Sequence, residues 1–283
     1  MHLLRSCPAR AELRPYVRAY AQREVEAVAG VIQPVPASLE HVIEFDFIEL
    51  PKIVTSNGRN QTAYRTSVVG PHTSPGAHVH LIGKVESFGV FFEPCGLWQL
   101  FRVPNVELAD EAWNGADLFG AEINQLWMAL AECACFEERV ARVDAYLLSR
   151  AARASGLTPI MGAAVHLFGS LGRGNLHELS GQCRLSVRHF ERRFKQELGM
   201  TPKLFARITR FQMALDAKLS SPQRTWLRIA HQFGYHDQMH MIRDFKDLSG
   251  DSPERFIAGL GDTRPPALCA AQRGELKKLS FGE

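Results

Sequence analysis

The sequence lacks the features by which several large classes of protein are recognised. No apolar run approaches the length of a membrane-spanning helix, and the first residues, MHLLRSCPARAEL, contain no continuous apolar segment of the secretory kind. We therefore expect a cytoplasmic protein with no membrane partner. The motifs G-x-S-x-G and G-x-G-x-x-G and the Walker-type phosphate loop are also absent. With no catalytic residues and no cofactor motif in view, we expect a protein that is not an enzyme.

Cysteine is present, but never in the spacing that disulfide frameworks or metal sites use. The closest two, Cys133 and Cys135, would point about 200° apart on a helix, which is a poor geometry for chelation. No C-x-x-C pair occurs. We expect no zinc site and free thiols at all six positions, which are Cys7, Cys95, Cys133, Cys135, Cys183 and Cys269.

Charge is unevenly divided along the chain. The 283 residues carry a formal net charge of +3 and are 46% hydrophobic, an ordinary balance for a globular protein with room for two domains. Residues 1–159 hold 14 Lys and Arg against 18 Asp and Glu, whereas residues 160–283 hold 19 against 12. A positive field over the second half would attract a polyanion such as DNA. A solvated charged surface is the alternative that charge alone leaves open.

A segment of this basic half is repeated. Residues 176–205, LHELSGQCRLSVRHFERRFKQELGMTPKLF, match residues 225–256 at an offset of about 51. A constant offset would place Leu176 on Leu227. In both copies a phenylalanine precedes a lysine, a glycine then ends the helix, and Thr or Ser before proline starts the next one. Two copies in register indicate a duplicated supersecondary unit.

Each copy has the pattern of a helix, a sharp turn and a second helix. In the later copy Gly234 suits the turn, because glycine takes the left-handed conformation without strain, and Asp237 can cap the second helix. Met241, Ile242 and Phe245 predict the buried face of that helix. Its other face carries amide, imidazole and cationic groups, which read base edges and phosphates in a major groove: Gln238, His240, Arg243 and Lys246.

These two units resemble the DNA-binding domain of the AraC/XylS family of bacterial transcription regulators, over about residues 160–258. The residues that carry the resemblance are Ile229, Ala230, Gly234, Tyr235, Asp237, Gln238, Phe245, Lys246, Gly250 and Pro253. His236 stands where the family usually has a capping serine, so either Asp237 caps the helix or the helix begins one residue later. The resemblance implies promoter or operator DNA as partner, RNA polymerase as a further partner of an activator, and association with the nucleoid.

The second helix of each unit, called its reading helix below, supplies the expected DNA contacts. In the first, which starts at Ser186, Arg188 and Arg192 should contact base edges. Glu191 between them either accepts from cytosine or orients an arginine. In the second, the corresponding residues are Gln238, Met239, His240 and Arg243. Arg193, Lys195 and Lys246 are interpreted as phosphate contacts or plain surface charges.

The first 120 residues have a different pattern. Short runs rich in β-branched and aromatic residues alternate with Gly, Pro, Asn and Ser, which predicts an antiparallel sheet or small barrel suited to holding a small molecule. The AraC/XylS family commonly carries a ligand-sensing β-domain in this place. GVFFEPCGLWQLF, residues 89–101, is similar to an element of one such sensor type. The resemblance implies a small-molecule effector without naming it.

Histidines on one predicted strand raise the question of a metal. His78 and His80 alternate, so both lie on one side of the strand and could face a barrel interior, with His72 nearby. A metal-binding cupin would have the glutamate closer than Glu86, and a third histidine near the position of Gln99. We expect exposed or hydrogen-bonded histidines and no metal, with metal binding as the open alternative.

From about residue 121 the apolar spacing becomes helical. Two stripes would be core or, as the resemblance implies, a homodimer contact; they are Ile123, Leu126, Trp127 and Leu130, and Val140, Val143, Leu147 and Leu148. Residues 204–219 predict a helix connecting the two units, which would set the reading helices about one DNA turn apart, near 34 Å.

We therefore expect an α+β chain of two domains. Residues 1–154 form a β-rich sensor and dimerisation domain with trailing helices, residues 155–260 an all-α domain with two helix-turn-helix units, and residues 261–283 a disordered tail. The expected function is sequence-specific transcription regulation under control of a small-molecule effector. One alternative is a DNA-repair methyltransferase fused to this type of domain, with Cys7 as the reactive cysteine. Another is a ligand-binding protein whose helical half docks a partner other than DNA.

Overall fold

The computed structural model describes residues 2–55, 60–154, 156 and 158–260. Strands dominate as far as Phe92 and helices follow, so the expected order of a sheet-rich part and a helical part is confirmed. The predicted disordered tail, residues 261–283, lies outside the described residues. Within those residues no helix has the length and apolar character needed to cross a membrane.

The sheet-rich part is one antiparallel sheet. Its strands run in the order β1-β2-β7-β3-β6-β8, and a β4–β5 hairpin joins through β7. The bounds are β1 His2–Pro8, β2 Val17–Val35, β3 Val42–Asp46, β4 Lys52–Thr55, β5 Asn60–Thr62, β6 Thr66–Val69, β7 Ala77–Phe92 and β8 Ala112–Asn114. The sequence pattern indicates neither β1 nor β2. The Ala, Glu and Arg of β2 favour helices, and it becomes a strand because β7 pairs with it over most of its length.

A bulge divides the long β2–β7 ribbon. The pairing runs from Val17 with Phe92 to Val35 with Ala77, and its register shifts between Ala27 and Val31. Gly83, opposite Ala27, has φ 76, a left-handed conformation that glycine takes without strain. Because a bulge bends a strand and increases its twist, one pair of strands serves both the central sheet and an outer ribbon.

Helices cover one face of the central sheet. Their bounds are α1 Gly96–Phe101, α2 Asn105–Leu108, α3 Gly115–Phe119, α4 Ala121–Ala131 and α5 Phe136–Ala151. Tyr20 and Phe88 of the sheet share a core with Ile123 of α4 and Val143 of α5, and the Tyr20 hydroxyl donates to Asp144 at 2.6 Å. The inner residues of both predicted stripes are thus covered by the chain's own sheet. Three other residues of the stripes, Trp127, Val140 and Leu148, are only half-buried, and the homodimer contact stays a prediction.

The helices from Pro159 onward pack around a second core. Their bounds are α6 Pro159–Gly169, α7 Leu176–Gln182, α8 Val187–Leu198, α9 Pro202–Ser220, α10 Trp226–Gln232, α11 Gln238–Ser249 and α12 Pro253–Leu260. The side chain of Thr158 caps α6, and Pro159 is the first residue of this helix. Aromatic rings join the elements, with Phe211 of α9 at 4.8 Å from Phe245 of α11 between ring centroids.

The two copies of the repeated unit differ by one residue in the turn. The reading helices α8 and α11 are offset by 51, but the first helices α7 and α10 are offset by 50, so Leu176 corresponds to Trp226. The expected match of Leu176 with Leu227 is therefore wrong. The equivalent turn residues, Arg184 and Gly234, both have positive φ, and the extra residue of the second copy is His236. An exposed turn accepts an insertion because its backbone is not part of the core.

Candidate nucleic-acid interface

The first reading helix, α8, presents its predicted contact residues on one exposed face. The Ser186 hydroxyl accepts a hydrogen bond from the backbone N–H of His189 at 3.4 Å, which caps the start of the helix. Phe190, Phe194 and Leu198 occupy the buried face. The remaining predicted residues follow one another at helical spacing and are all exposed; they are Arg188, Glu191, Arg192 and Lys195.

The second reading helix, α11, begins at Gln238 and is capped by Asp237, whose carboxylate accepts from the backbone N–H of His240 at 2.7 Å. This hydrogen bond, followed by one from the His236 side chain, lowers the pKa of Asp237. An ionised carboxylate at this end of a helix is also favoured by the helix dipole. Of the two capping arrangements considered above, the structure has the first.

The predicted contact residues of α11 are exposed to different degrees. Met239, Arg243 and Lys246 lie along one exposed line at helical spacing. Gln238 and His240 are half-buried, and the His240 ring lies edge-on to Tyr235 with 5.5 Å between centroids. The exposed line of α11 therefore carries two cationic side chains, where that of α8 carries three cationic side chains and one carboxylate.

Arg193 is turned away from the line of contact residues on α8. Its guanidinium donates to Glu197 at 2.7 Å, and Glu197 is buried and also accepts from the hydroxyl of Thr158 at 2.6 Å. Glu197 thus links the start of α6 to Arg193, which lies one turn earlier on α8. The Arg193 side chain is 41% exposed, and its assignment as a phosphate contact or a surface charge stays a prediction.

An ion pair that the sequence analysis did not single out fixes α11 to the connecting helix α9. Arg207 of α9 donates twice to one oxygen of Asp244, at 2.7 and 3.0 Å, and once to Asp247 at 2.8 Å. Asp244 is buried on the inner face of α11, between Met241 and Leu248. The sequence signal for this ion pair is a carboxylate, Asp244, inside an apolar stripe. Its partner, Arg207, lies 37 residues earlier, so spacing along the chain does not identify it.

The sheet-rich part, meaning the sheet together with α1 to α5, touches the last turn of both reading helices. The backbone N–H of Ala37 donates to the carbonyl of Leu248 in α11 at 2.7 Å. The side-chain amide of Asn105 in α2 donates to the carbonyl of Glu197 in α8 at 2.6 Å. A Cβ added at Gly199, which ends α8, would lie 2.8 Å from the carbonyl oxygen of Asn105. Movement in the sheet-rich part would therefore reach both helices directly.

The histidines of β7 lie together on one face of their strand. His78 and His80 share a face, as predicted, but it is the face opposite Leu81, whose side chain is buried. His80 pairs across the ribbon with exposed Ile32 and Lys52. Across the described residues, no three His, Cys, Asp or Glu side chains are grouped to hold a metal ion. The cysteines of these residues are free thiols, and Cys269 lies outside them.

Comparison with protein families gives a match in each part of the chain. Residues 179–259 match a family model described as a helix-turn-helix domain. Residues 5–114 match one described as a domain of unknown function, DUF6597. A search of the curated proteins finds no match.

Similar solved structures have low sequence identity. ToxT from Vibrio cholerae is 10% identical, with 92% of this chain and 98% of that chain covered and a TM-score of 0.46. Wild-type ToxT with an unsaturated fatty acid bound is 12% identical, with 90% and 94% covered and a TM-score of 0.45. The DNA-binding domain of AdpA, a global transcriptional factor, in complex with a target DNA is 21% identical, with 38% and 98% covered and a TM-score of 0.34.

Proposed function

We propose that this chain, whose residues 179–259 form a helix-turn-helix domain of the AraC type, is a transcription regulator that binds two successive major grooves of DNA. The observation that carries the proposal is the pair of capped reading helices, α8 and α11, each with an exposed polar face and both packed on α9. With 19 residues, α9 spans roughly 28 Å. We expect α9 to hold the two reading helices about one DNA turn apart, near 34 Å, so that both enter the same side of a duplex.

The residue types on each helix suggest distinct roles. Arg188 and Arg192 of α8 lie one turn apart, and an arginine paired bidentately with guanine typically gives about 1–3 kcal/mol of discrimination. On α11, Arg243 is the exposed guanidinium, Met239 suits the methyl group of thymine, and Gln238 and His240 lie beside them. Glu191 suits cytosine, and Ser186 fixes the start of α8. Lys195 and Lys246 are assigned to phosphates.

We further propose that a small-molecule effector bound by the sheet-rich part controls DNA binding. The contacts of Ala37 with α11 and of Asn105 with α8 support a direct path, since the sheet-rich part then touches both reading helices at their ends. An effector that shifts these two contacts changes the relative position of α8 and α11. Promoter occupancy then changes as well. The size of this change is limited by the difference in the effector's affinity for the two arrangements.

The remaining assignments follow from the proposed role. The protein would act on the nucleoid, in the cytoplasm, without catalysing a reaction. It would contact RNA polymerase if it activates transcription. A homodimer would recognise a repeated site.

The first experiment is selection of bound fragments from random duplexes at about 150 mM salt, followed by sequencing. We expect two short boxes about 10 base pairs apart. Arg188→Ala or Arg192→Ala should relax specificity in one box only, and Arg243→Ala in the other. The matched control is Arg142→Ala, an exposed arginine on α5, which should leave both boxes unchanged. Equal weakening on all sequences by the α8 variants would contradict the base-contact assignment.

Salt dependence separates phosphate contacts from base contacts. Lys195→Ala and Lys246→Ala should each reduce the slope of log affinity against log salt by about 0.9, because each phosphate contact releases condensed counterions. Their box sequences should not change. An unchanged slope would contradict the phosphate assignment and show that these lysines are plain surface charges.

A further inference from the structure

A row of polar side chains crosses the sheet on the face opposite the helices. In the register of β2, β7 and β3, Arg23 pairs with Ser87 and Ser87 pairs with Asp46. Glu44 precedes Asp46 by two residues, so it lies on the same face, and it accepts a hydrogen bond from Arg23 at 3.2 Å. Phe45, between the two acids, packs in the core on the other side.

The carboxyl group of Asp46 is buried and has no partner. Asp46 as a whole is 1% exposed, and neither of its side-chain oxygens has a hydrogen-bond partner among the described residues. Nε of Arg23 also lacks a hydrogen-bond partner among these residues. Buried polar groups in native structures are nearly always hydrogen-bonded, so an orphaned pair of oxygens calls for a missing partner. The arrangement is that of a binding site whose ligand would supply the missing hydrogen-bond donor.

The surroundings of the row suit a small molecule. Apolar clusters flank it on both sides, with Val25, Leu81 and Val85 at one end and Ala21, Val42, Val69 and Phe91 at the other. The Arg23 and Glu44 side chains are 26% and 31% exposed, so solvent reaches this end of the row, while Asp46 beside them is buried. Apolar walls around a few convergent polar groups are typical of ligand pockets.

The charges of the row determine the class of ligand. Arg23 is already compensated by Glu44, with which it forms an ion pair. An ionised Asp46 would therefore lack one positive charge and several hydrogen-bond donors. We propose that this row is the effector site of the sheet-rich part, and that Asp46 and Glu44 bind the ammonium group of a small organic amine whose apolar body lies against the flanking clusters.

Binding would involve the release of a proton. Burial, followed by the nearby Glu44 carboxylate, raises the pKa of Asp46 to about 9, against the opposing effect of Arg23, so the empty site holds a neutral acid. The charged groups that face Asp46 in the described residues are Glu44 on its own strand and Arg23 on β2. When the ammonium ion binds, the O–H proton of Asp46 passes to solvent and a carboxylate–ammonium pair forms. The affinity should then rise about tenfold between pH 6.5 and 7.5.

The inference rests on the proposed function only in calling the ligand an effector, and its test contains no DNA. The full chain is titrated calorimetrically with ethylamine, n-butylamine, benzylamine and phenethylamine, and with n-butanol and butyrate as neutral and anionic counterparts. We expect saturable binding of amines only, with about one proton released at pH 7. Asp46→Asn, which keeps the shape of the side chain, should weaken amine binding at least about thirtyfold.

Two further variants keep the test decisive. Glu44→Gln leaves Arg23 uncompensated and should weaken amine binding at least about tenfold. Glu26→Gln, an exposed carboxylate on the same strand as Arg23, is the matched control and should change nothing. Helical circular dichroism shows whether each variant is folded. The proposal is overturned if butanol or butyrate binds as well as the amines, if no amine binds, or if folded Asp46→Asn binds them as tightly as the natural chain.

Discussion

The ion pair between α9 and α11 gives a prediction whose size can be worked out from the structure. Replacing Arg207 by methionine keeps much of the aliphatic length of the side chain but removes its hydrogen bonds to Asp244 and Asp247. The Asp247 side chain is 63% exposed, so the loss of that contact should cost only about 0–1 kcal/mol. Asp244 is different, because its side chain is 4% exposed and its second oxygen already has no hydrogen-bond partner in the described part of the chain.

Removing one partner of a buried ion pair typically costs about 3–5 kcal/mol, since the other charge stays buried and uncompensated. The Arg207 side chain is 31% exposed, so water can reach part of the vacated space and reduce the penalty. We therefore expect Arg207→Met to lower the free energy of unfolding by about 2–4 kcal/mol. In urea this is a shift of about 1–2 M in the unfolding midpoint of the helical part.

The assay is urea unfolding followed by circular dichroism at the helical minimum. The control is Arg228→Met, an exposed arginine on α10, which should change stability by less than about 0.5 kcal/mol. Asp244→Asn in the Arg207→Met chain should recover at least about 1 kcal/mol, because a neutral amide costs less to bury than a carboxylate. Equal midpoints for the Arg207 and Arg228 variants, or no recovery in the double variant, would refute this account of how α11 is held.

Three further predictions concern the caps, the helix ends and the orphaned acid. Ser186→Ala and Asp237→Ala should each lower stability by about 1 kcal/mol in urea unfolding, the usual effect of losing a capping side chain; no change would mean that the caps are dispensable. Gly199→Ala should cost at least about 1 kcal/mol more than Gly250→Ala. Both have positive φ, but the new Cβ at Gly199 meets a backbone oxygen at 2.8 Å and that at Gly250 meets nothing nearer than 3.6 Å; equal losses would contradict the close contact. Because the pKa of Asp46 is about 9 folded and about 3.9 unfolded, the native state holds the extra proton between these values, and stability falls as pH rises. Measured against Asp46→Asn from about pH 5.5 to 8.5, the loss should approach 1.4 kcal/mol per pH unit, and a flat difference would show that Asp46 ionises normally.

Much of the helical part could be derived from residues close together in the sequence. Helix starts and stops depend on capping groups within three or four residues, so Ser186, Asp237 and Gly250 marked the ends of the reading helices correctly. The apolar spacing of α8 and α11 predicted which faces are buried, and the match of residues 179–259 to a helix-turn-helix family confirms the motif. The DNA contacts assigned to those helices stay predictions.

Other features depend on groups that are distant along the chain. The strand β2 mixes Ala, Glu and Arg, which favour helix, with Val, Ile and Tyr, which favour strands. Its pairing with β1 and with β7, more than 40 residues away at their closest pairing, decides between the two. The one-residue shift between the two repeated units lies in an exposed turn, where no apolar spacing records it. The stripes of α4 and α5 showed that a face is buried, but not that the chain's own sheet covers it.

Local spacing therefore specifies helices, caps and inner faces, because those depend on interactions within a few residues. Tertiary packing decides which buried charges find partners. Asp244 and Asp46 are both buried carboxyl groups, one in the apolar stripe of a helix and the other in a strand. Arg207 donates to Asp244, whereas no hydrogen-bond donor in the described residues reaches Asp46. The difference depends on the desolvation of each carboxylate and on the position of a cation elsewhere in the chain. That balance exists only in the folded molecule.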